Sequence, residues 1–354
     1  MYTHKYPLTV KAVWWDEAKR EVCWINTLKL PFEEEVICSN DPARVAKAIV
    51  EMEVRGAPAI GVIAALAVAA YANKLAAEGG SNVVEKLNEA IDLLWRTRPT
   101  AYNLFWALER MRKRLMASAG LSPRSLADSL TEEALKILNE DIEANIKIGE
   151  YGADLVPEGA TILTHCNAGA LATSAFGTAE AIMRVAWYRG KKIKVIATET
   201  RPLLQGARLT VWELVKEGIP VTLITDNMAG YVIRKGLVDL VIVGADRITR
   251  EGYVVNKIGT YMIALAAKRN NVPFYVAAPT STIDLKSSIR DVVIEERNPM
   301  EVKTVMGRLI TLENVKALNY AFDVTDPDLV TAIITEKGVV YPPFEENLRK
   351  TVER

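Results

Sequence analysis

The chain has 354 residues, half of them apolar and a quarter charged, with 44 basic side chains balancing 44 acidic ones. Such a length predicts about two domains, each able to bury its own core. The charge balance argues against a nucleic-acid or anionic-membrane surface and leaves a small or singly phosphorylated ligand compatible.

Residues 8–14 and 21–26 alternate in polarity and predict a β-hairpin about Asp16-Glu17-Ala18-Lys19, with Trp14, Trp15 and Trp24 as packing residues. Asp41-Pro42 then reads as a cap and first helical position, for a helix reaching about Val54. The stretch 58–72 is apolar and Ala-rich. It falls short of the roughly 18–20 residues needed to cross a bilayer, so a core helix is expected and no membrane partner. Residues 1–7 carry no apolar segment of the signal-peptide type, and the expected location is cytoplasmic.

Ahead of the apolar helix, Arg55-Gly56-Ala57-Pro58 puts an arginine and two small residues at a helix N-terminus. Free N–H groups, the positive end of the helix dipole and a guanidinium fork suit a phosphate there, although an ordinary interhelical turn has the same appearance. Arg98-Pro99 repeats the arrangement, as a second anion contact or as a surface arginine. Helices are expected over 83–96, 104–117 and 131–152, with a domain boundary at 120–130. That gives an N-terminal mixed helical and β-hairpin domain (1–125) and a C-terminal domain (126–354).

From Ala160 strands and helices alternate, with strands expected at 161–165, 194–198, 221–224, 238–243, 274–277 and 320–324. This predicts an α/β protein with a Rossmann-like, doubly wound parallel sheet. Polar residues gather just past the strand ends: Cys166-Asn167, Glu199-Thr200-Arg201, Asp226-Asn227 and Asp246. Open α/β sheets bind ligands at that edge, so Asp246 leads the candidates for chemistry, with Asn256-Lys257 for polar contacts beyond it. Asp226 is read as a helix cap or a substrate contact, and His165 as structural. Cys166 is either a small buried hydrophobe or a thiol activated at a strand end before a helix. Adjacent in a strand, His165 and Cys166 face opposite ways and form no dyad.

Three cysteines, Cys23, Cys38 and Cys166, are too few and too scattered for a disulfide framework or a thiolate metal site. With only His4 and His165 besides, neither a metal site nor a Ser-His-Asp triad is expected. Gln205 is the only glutamine, which suggests a specific job for it. No Gly-x-Gly-x-x-Gly or Gly-x4-Gly-Lys-Ser/Thr loop follows the first strand, so a nucleotide is disfavoured and no cofactor is expected.

The segments Val54-Arg55-Gly56-Ala57-Pro58-Ala59-Ile60-Gly61, Arg98-Pro99-Thr100-Ala101-Tyr102-Asn103-Leu104, Thr164-His165-Cys166-Asn167-Ala168-Gly169, Glu199-Thr200-Arg201-Pro202-Leu203-Leu204-Gln205-Gly206-Ala207-Arg208-Leu209-Thr210, Thr225-Asp226-Asn227-Met228-Ala229 and Gly244-Ala245-Asp246-Arg247-Ile248 together resemble the methylthioribose-1-phosphate isomerase family. Its superfamily also holds ribose-1,5-bisphosphate isomerases and regulatory subunits of a translation-initiation exchange factor. The resemblance implies a homodimer that acts on a sugar phosphate in methionine salvage. It assigns substrate contacts to Arg55, Gly56, Ala57, Arg98, Gln205, Asn256 and Lys257, makes Asp246 the proton donor and makes Cys166 the second catalytic residue. An aldose phosphorylated at C1 has no free hemiacetal. An acid must therefore protonate the ring oxygen before hydrogen moves from C2 to C1. Asp246 is expected to need burial among apolar walls to raise its pKa for that task. The rival readings are a ribose-1,5-bisphosphate isomerase, which needs a second cationic pocket, and a non-catalytic regulatory subunit that binds sugar phosphates. The latter has no need of Cys166 and Asp246 together.

Overall fold

The computed structural model describes residues 4–79, 82–98 and 102–353. The chain divides into two compact units, Met1–Ala144 with Gly169–Gly177, and Asn145–Ala168 with Thr178–Arg354. The division falls inside a long helix, and a short later segment belongs to the earlier unit.

In the first unit β1 (Val13–Asp16) and β2 (Glu21–Ile25) form the expected hairpin, with Val13 opposite Trp24. Asp16 Oδ1 accepts the N–H groups of Ala18 and Lys19, which closes the turn. A third strand, β3 (Val36–Ser39), pairs antiparallel with β2 and sets Cys38 directly across from Cys23. Their sulfurs are bonded, which corrects the expectation that these cysteines are too scattered to pair. The strand that aligns them has no buried face, so no alternation of polarity announces it.

Helix α1 (Pro42–Val50) starts where Asp41 accepts the Ala43 N–H, and Pro42 takes the first position. It is followed by α2 (Ala57–Glu78), α3 (Val83–Trp95), α4 (Tyr102–Ser118) and α5 (Pro123–Ala153). The apolar run proves to be part of a 22-residue helix, long and apolar enough by composition to cross a membrane. It is apolar nearly all round and buried on nearly all sides, the signature of a central core helix. The expected helix start at Pro99 lies outside the described residues. α5 begins earlier than its amphipathic pattern indicated, because Ser122 Oγ accepts the Ser125 N–H and Pro123 opens the first turn. The Gly169–Gly177 segment completes the unit. The Ala12 N–H donates to the Ser174 carbonyl at 2.9 Å, and Tyr6 stacks on Phe176.

The second unit runs β4 (Thr161–Thr164), α6 (Ala179–Tyr188), β5 (Lys194–Thr198), α7 (Val211–Lys216), β6 (Val221–Ile224), α8 (Ala229–Arg234) and β7 (Leu240–Val243). It continues with β8 (Arg247–Thr249), β9 (Val254–Lys257), α9 (Thr260–Arg269), β10 (Phe274–Ala277), β11 (Ile283–Asp284), α10 (Met300–Lys303) and a small hairpin, β12 (Thr304–Val305) with β13 (Arg308–Leu309). The last elements are β14 (Phe322–Thr325), β15 (Ala332–Thr335), β16 (Gly338–Val340) and α11 (Phe344–Glu353). Seven strands form the main sheet in the order β16-β15-β10-β7-β4-β5-β6. All are parallel except the edge strand β16, so the expected α/β class holds. Strands β4, β7, β10 and β15 read as apolar runs because helices cover both faces, and Val241, Val243, Val276 and Ile333 pack in one core with Ile263 and Leu348.

The strand expected at 320–324 is displaced to β14, which lies in a second sheet of order β11-β8-β9-β14 and pairs antiparallel with β9. Its antiparallel register on β9, Phe322 opposite Lys257 and Thr325 opposite Val254, commits its hydrogen-bonding edge to that second sheet.

Candidate active site

The order of the main sheet fixes where chemistry can be placed. After β4 the chain adds β5 and β6 on one side, then returns to add β7 on the other. Connections that leave adjacent strands in opposite directions open a crevice at the strands' C-terminal ends, and here that switch point lies between β4 and β7. Cys166 follows β4 by two residues and Asp246 follows β7 by three, so the two candidates flank it. Thr164 Oγ1 donates to the Ile242 carbonyl, bonding the strands side chain to backbone. A Cβ on Gly244 would stand 2.8 Å from the Ala168 Cβ, so glycine lets the two post-strand loops touch.

Cys166 is 7% exposed and is the one free cysteine. Its backbone lies in the left-handed region, φ +64°. Its N–H donates to Thr200 Oγ1 at 2.8 Å, and its carbonyl accepts from Thr210 Oγ1 at 2.7 Å. Asp246 is exposed, which corrects the expectation of an acid enclosed by apolar walls. Gly244 and Ala245 carry it past the buried end of β7 into the turn toward β8, where its N–H donates to the Val255 carbonyl at 2.9 Å. That bond brings Asp246 to β9 and therefore to Asn256 and Lys257, which are both buried. Asn256 Nδ2 donates to Thr260 Oγ1 at 3.0 Å, and Lys257 Nζ lies 4.7 Å from the Phe322 ring centre.

Gln205 precedes a wide π-type turn, Gly206–Thr210, that follows β5. This turn lies so close to β5 that a Cβ on Gly206 would be 1.8 Å from the Thr198 carbonyl oxygen. Gln205 is 5% exposed, and its buried Oε1 has no hydrogen-bond partner among the described residues. A buried amide oxygen without a donor costs about 1–3 kcal/mol, and it can accept a hydrogen bond from a hydroxyl brought to it. Asp226 does not cap its own helix. Its carboxylate oxygens accept the N–H groups of Thr200 (2.8 Å) and Arg201 (2.7 Å), fixing the loop beyond β5 from the neighbouring strand.

In the first unit, Gly56 has φ +91°, and a Cβ there would lie 2.1 Å from the Ala172 carbonyl oxygen. Only glycine admits both the conformation and the contact. Arg55 is half-buried before it, and Ala57 opens α2. Glu53 anchors this turn from below: it is buried, takes the Trp24 indole N–H at 2.9 Å and accepts two bonds from Arg44. Thr27 adds its N–H to the Glu53 carbonyl and its hydroxyl to the Met52 carbonyl. Arg98 is half-buried after α3. Asn103, in the first turn of α4, packs its backbone on Gly61 in the first turns of α2. Composition alone gave no reason to single out Glu53 or Thr210, and Thr200 stood only among the polar residues past a strand end, since buried polar partners are defined by contacts distant in sequence.

A buried cluster lies behind Cys166. Arg184 pairs with Glu213 (2.7 Å), Glu217 (3.1 Å) and Glu180 (3.4 Å). Asn167 Nδ2 joins Glu180, Glu213 and Thr210. Burial and the neighbouring Glu213 charge push the Glu180 carboxyl well above its ordinary pKa, against the opposing pull of Arg184. Burial works against the Arg184 charge, yet the surrounding carboxylates keep it firmly cationic. A surface cavity of about 380 Å³ in the first unit, lined by Trp15, Arg20, Asp128 and Glu132 among others, contains none of the candidate residues.

A model of the Initiation factor 2 subunit family matches residues 53–342 of this chain. The methylthioribose-1-phosphate isomerase of Thermosipho africanus is 54% identical over 334 residues, covering 94% of this chain and 96% of that protein. A putative methylthioribose-1-phosphate isomerase of Aeropyrum pernix is 50% identical, covering 98% of this chain and 95% of that protein. The solved structure of 5-methylthioribose 1-phosphate isomerase from Pyrococcus horikoshii OT3 matches with a TM-score of 0.92 at 42% identity over 99% of both chains. The structure named as translation initiation factor eIF-2B, subunit delta, from A. fulgidus matches with a TM-score of 0.88 at 47% identity, over 98% of this chain and 100% of that one. The chain belongs to the Initiation factor 2 subunit family. Within that family it groups with the methylthioribose-1-phosphate isomerases, and it is an enzyme, an isomerase.

Proposed function

We propose that the protein converts 5-methylthioribose 1-phosphate to 5-methylthioribulose 1-phosphate, a step of methionine salvage, without a cofactor. The observation that carries this reading is the placement of a thiol and a carboxylate, Cys166 and Asp246, on either side of the switch point between β4 and β7. Relatives named for that activity at 50–54% identity support the choice of substrate.

Asp246 protonates the ring oxygen, and the C4–O bond is kept while the C1–O bond to the ring breaks. Hydrogen then moves from C2 to C1 with the help of Cys166, and the C2 hydroxyl gives its proton to Asp246, restoring the acid. Asp246 is exposed in the free protein, so bound substrate must enclose it for this proton transfer. Arg55 and the Gly56 and Ala57 N–H groups, helped by Lys257 or Arg98, bind the phosphate. Gln205 and Asn256 hold the sugar hydroxyls. Each is an assignment by residue type and position, Gln205 with the added support of its unpartnered Oε1.

The test is an assay of purified protein with 5-methylthioribose 1-phosphate and with ribose 1,5-bisphosphate, repeated on Cys166→Ser. Turnover of the first substrate is expected, with loss in the variant; turnover of the bisphosphate alone overturns the assignment. In D2O, a route in which Cys166 takes the C2 proton leaves deuterium at C1, whereas direct hydride transfer leaves none. We also propose a homodimer, supported by the exposed apolar residues Val215, Leu223, Met228 and Tyr231 on and near the edge strand β6, and checked by sedimentation.

A further inference from the structure

Thr200 and Thr210 take no part in the reaction as proposed above, yet the Cys166 backbone hangs on them. Cys166 and Thr200 have φ of +64° and +62°, a conformation that non-glycine residues rarely adopt and β-branched ones least of all. Such residues persist only where surrounding contacts over-determine them, and they cluster at functional sites. Here the contacts are two hydroxyls. The Cys166 N–H donates to Thr200 Oγ1, and Thr210 Oγ1 donates to the Cys166 carbonyl.

The direction of each proton on the Thr200 side follows from the geometry. His165 Nε2 is 2.8 Å from the Ile258 carbonyl oxygen, so it carries the ring proton. In a neutral ring Nδ1 then accepts, and its partner at 2.6 Å is the Thr198 hydroxyl. Full burial favours that neutral ring. Thr198 Oγ1, having given its proton away, accepts from Thr200 Oγ1 at 3.2 Å, and Thr200 Oγ1 in turn accepts from the Cys166 N–H. The hydroxyl of Thr200 is therefore committed at both ends. Gly206 leaves it room, since a Cβ there would stand 2.9 Å from Thr200 Oγ1. On the other side, Asn167 Nδ2 donates to Thr210 Oγ1 at 3.2 Å, which orients that hydroxyl toward the Cys166 carbonyl.

We propose that Thr200 and Thr210 are positioning residues for the isomerase reaction: their hydroxyls grip the N–H and C=O of Cys166 and hold the left-handed turn that sets the direction of its thiol. The inference rests on Cys166 taking part in the reaction. It is tested with Thr200→Val and Thr210→Val, which keep shape and remove the hydroxyl, beside Thr200→Ser and Thr210→Ser, which keep the hydroxyl.

With 5-methylthioribose 1-phosphate, the valine variants are expected to lose about 10- to 100-fold in kcat with KM within about threefold, and the serine variants to stay within about threefold of the parent. Because Cys166 is the free cysteine, its alkylation by iodoacetamide gives a second readout. That rate is expected to change about fivefold or more in the valine variants and little in the serine ones. Folded valine variants with the parent's kcat and alkylation rate overturn the proposal, as do serine variants impaired as badly as the valine ones. If a valine variant fails to fold, the serine variant at the same position and the pair at the other position decide the question. A fully active Cys166→Ser removes the catalytic reading of Cys166, while the alkylation rates still show whether the two hydroxyls hold its backbone.

Discussion

Thr164 Oγ1 reaches the Ile242 carbonyl oxygen at 2.8 Å, joining β4 to β7 just before the two strands deliver Cys166 and Asp246. The pairing anchors the two short post-strand segments that carry these groups on rigid neighbours. Asp246→Asn keeps size and removes the proton. Its kcat is expected to fall about 100- to 10,000-fold, with substrate affinity by calorimetry within a few fold. Retained turnover would remove Asp246 from the acid role.

Gly56→Ala is expected to destabilise the first unit severely. The new Cβ meets the Ala172 carbonyl oxygen at 2.1 Å, and φ +91° is itself unfavourable for alanine. Backbone must move to relieve the clash, at about 3 kcal/mol or more. Urea unfolding checks the magnitude, and a variant within about 0.5 kcal/mol of the parent would show that the Gly56 turn can shift freely.

The Arg184 cluster predicts opposite outcomes for two neighbours. Arg184→Met leaves buried carboxylates unpaired and is expected to cost about 3–5 kcal/mol or to prevent folding. Glu180→Gln replaces a carboxyl that burial and Glu213 push toward its neutral form and is expected to fall within about 1 kcal/mol of the parent at pH 7. Denaturant unfolding of the two variants side by side reads the contrast.

Asp323 predicts a pH dependence. Burial raises its carboxyl from 3.8 to about 6, against the opposing pull of the Gly259 and Tyr261 N–H groups and Lys257. A carboxyl whose folded pKa exceeds the unfolded one binds protons more tightly when folded. It therefore stabilises fully below about pH 4, and that contribution is lost as the pH rises through about 6. Relative to Asp323→Asn, the parent is expected to lose about 1–3 kcal/mol of unfolding free energy between pH 4 and 7. Parallel stability curves for the two proteins would contradict it.

The Cys23–Cys38 bond predicts one titratable thiol in the unfolded, non-reduced chain and three after reduction. Cys38→Ala is expected to lower stability by about 3 kcal/mol, since the bond closes a loop of fifteen residues. Mass spectrometry after alkylation counts the thiols, and calorimetry reads the loss.

What the sequence alone determined was local in origin. The Asp41-Pro42 cap set the start of α1, and apolar runs bounded by polar residues marked β4, β5, β6, β7 and β10 almost to the residue. Because the side of a parallel sheet that binds ligands follows from strand direction, Cys166 and Asp246 could be singled out from their places past strand ends, and Gln205 stood out as the only glutamine. Tertiary structure decided the remainder, since it depends on pairing between distant segments. The register of β3 joined Cys23 to Cys38, and the antiparallel match with β9 placed β14 outside the main sheet. It left Asp246 exposed, carried past the buried strand by Gly244-Ala245. It also brought Thr200 and Thr210, 34 and 44 positions further along, onto the two backbone groups of Cys166. Hydrogen bonds at that separation leave no periodicity to read, because they arise only once the sheet has brought the strand ends together.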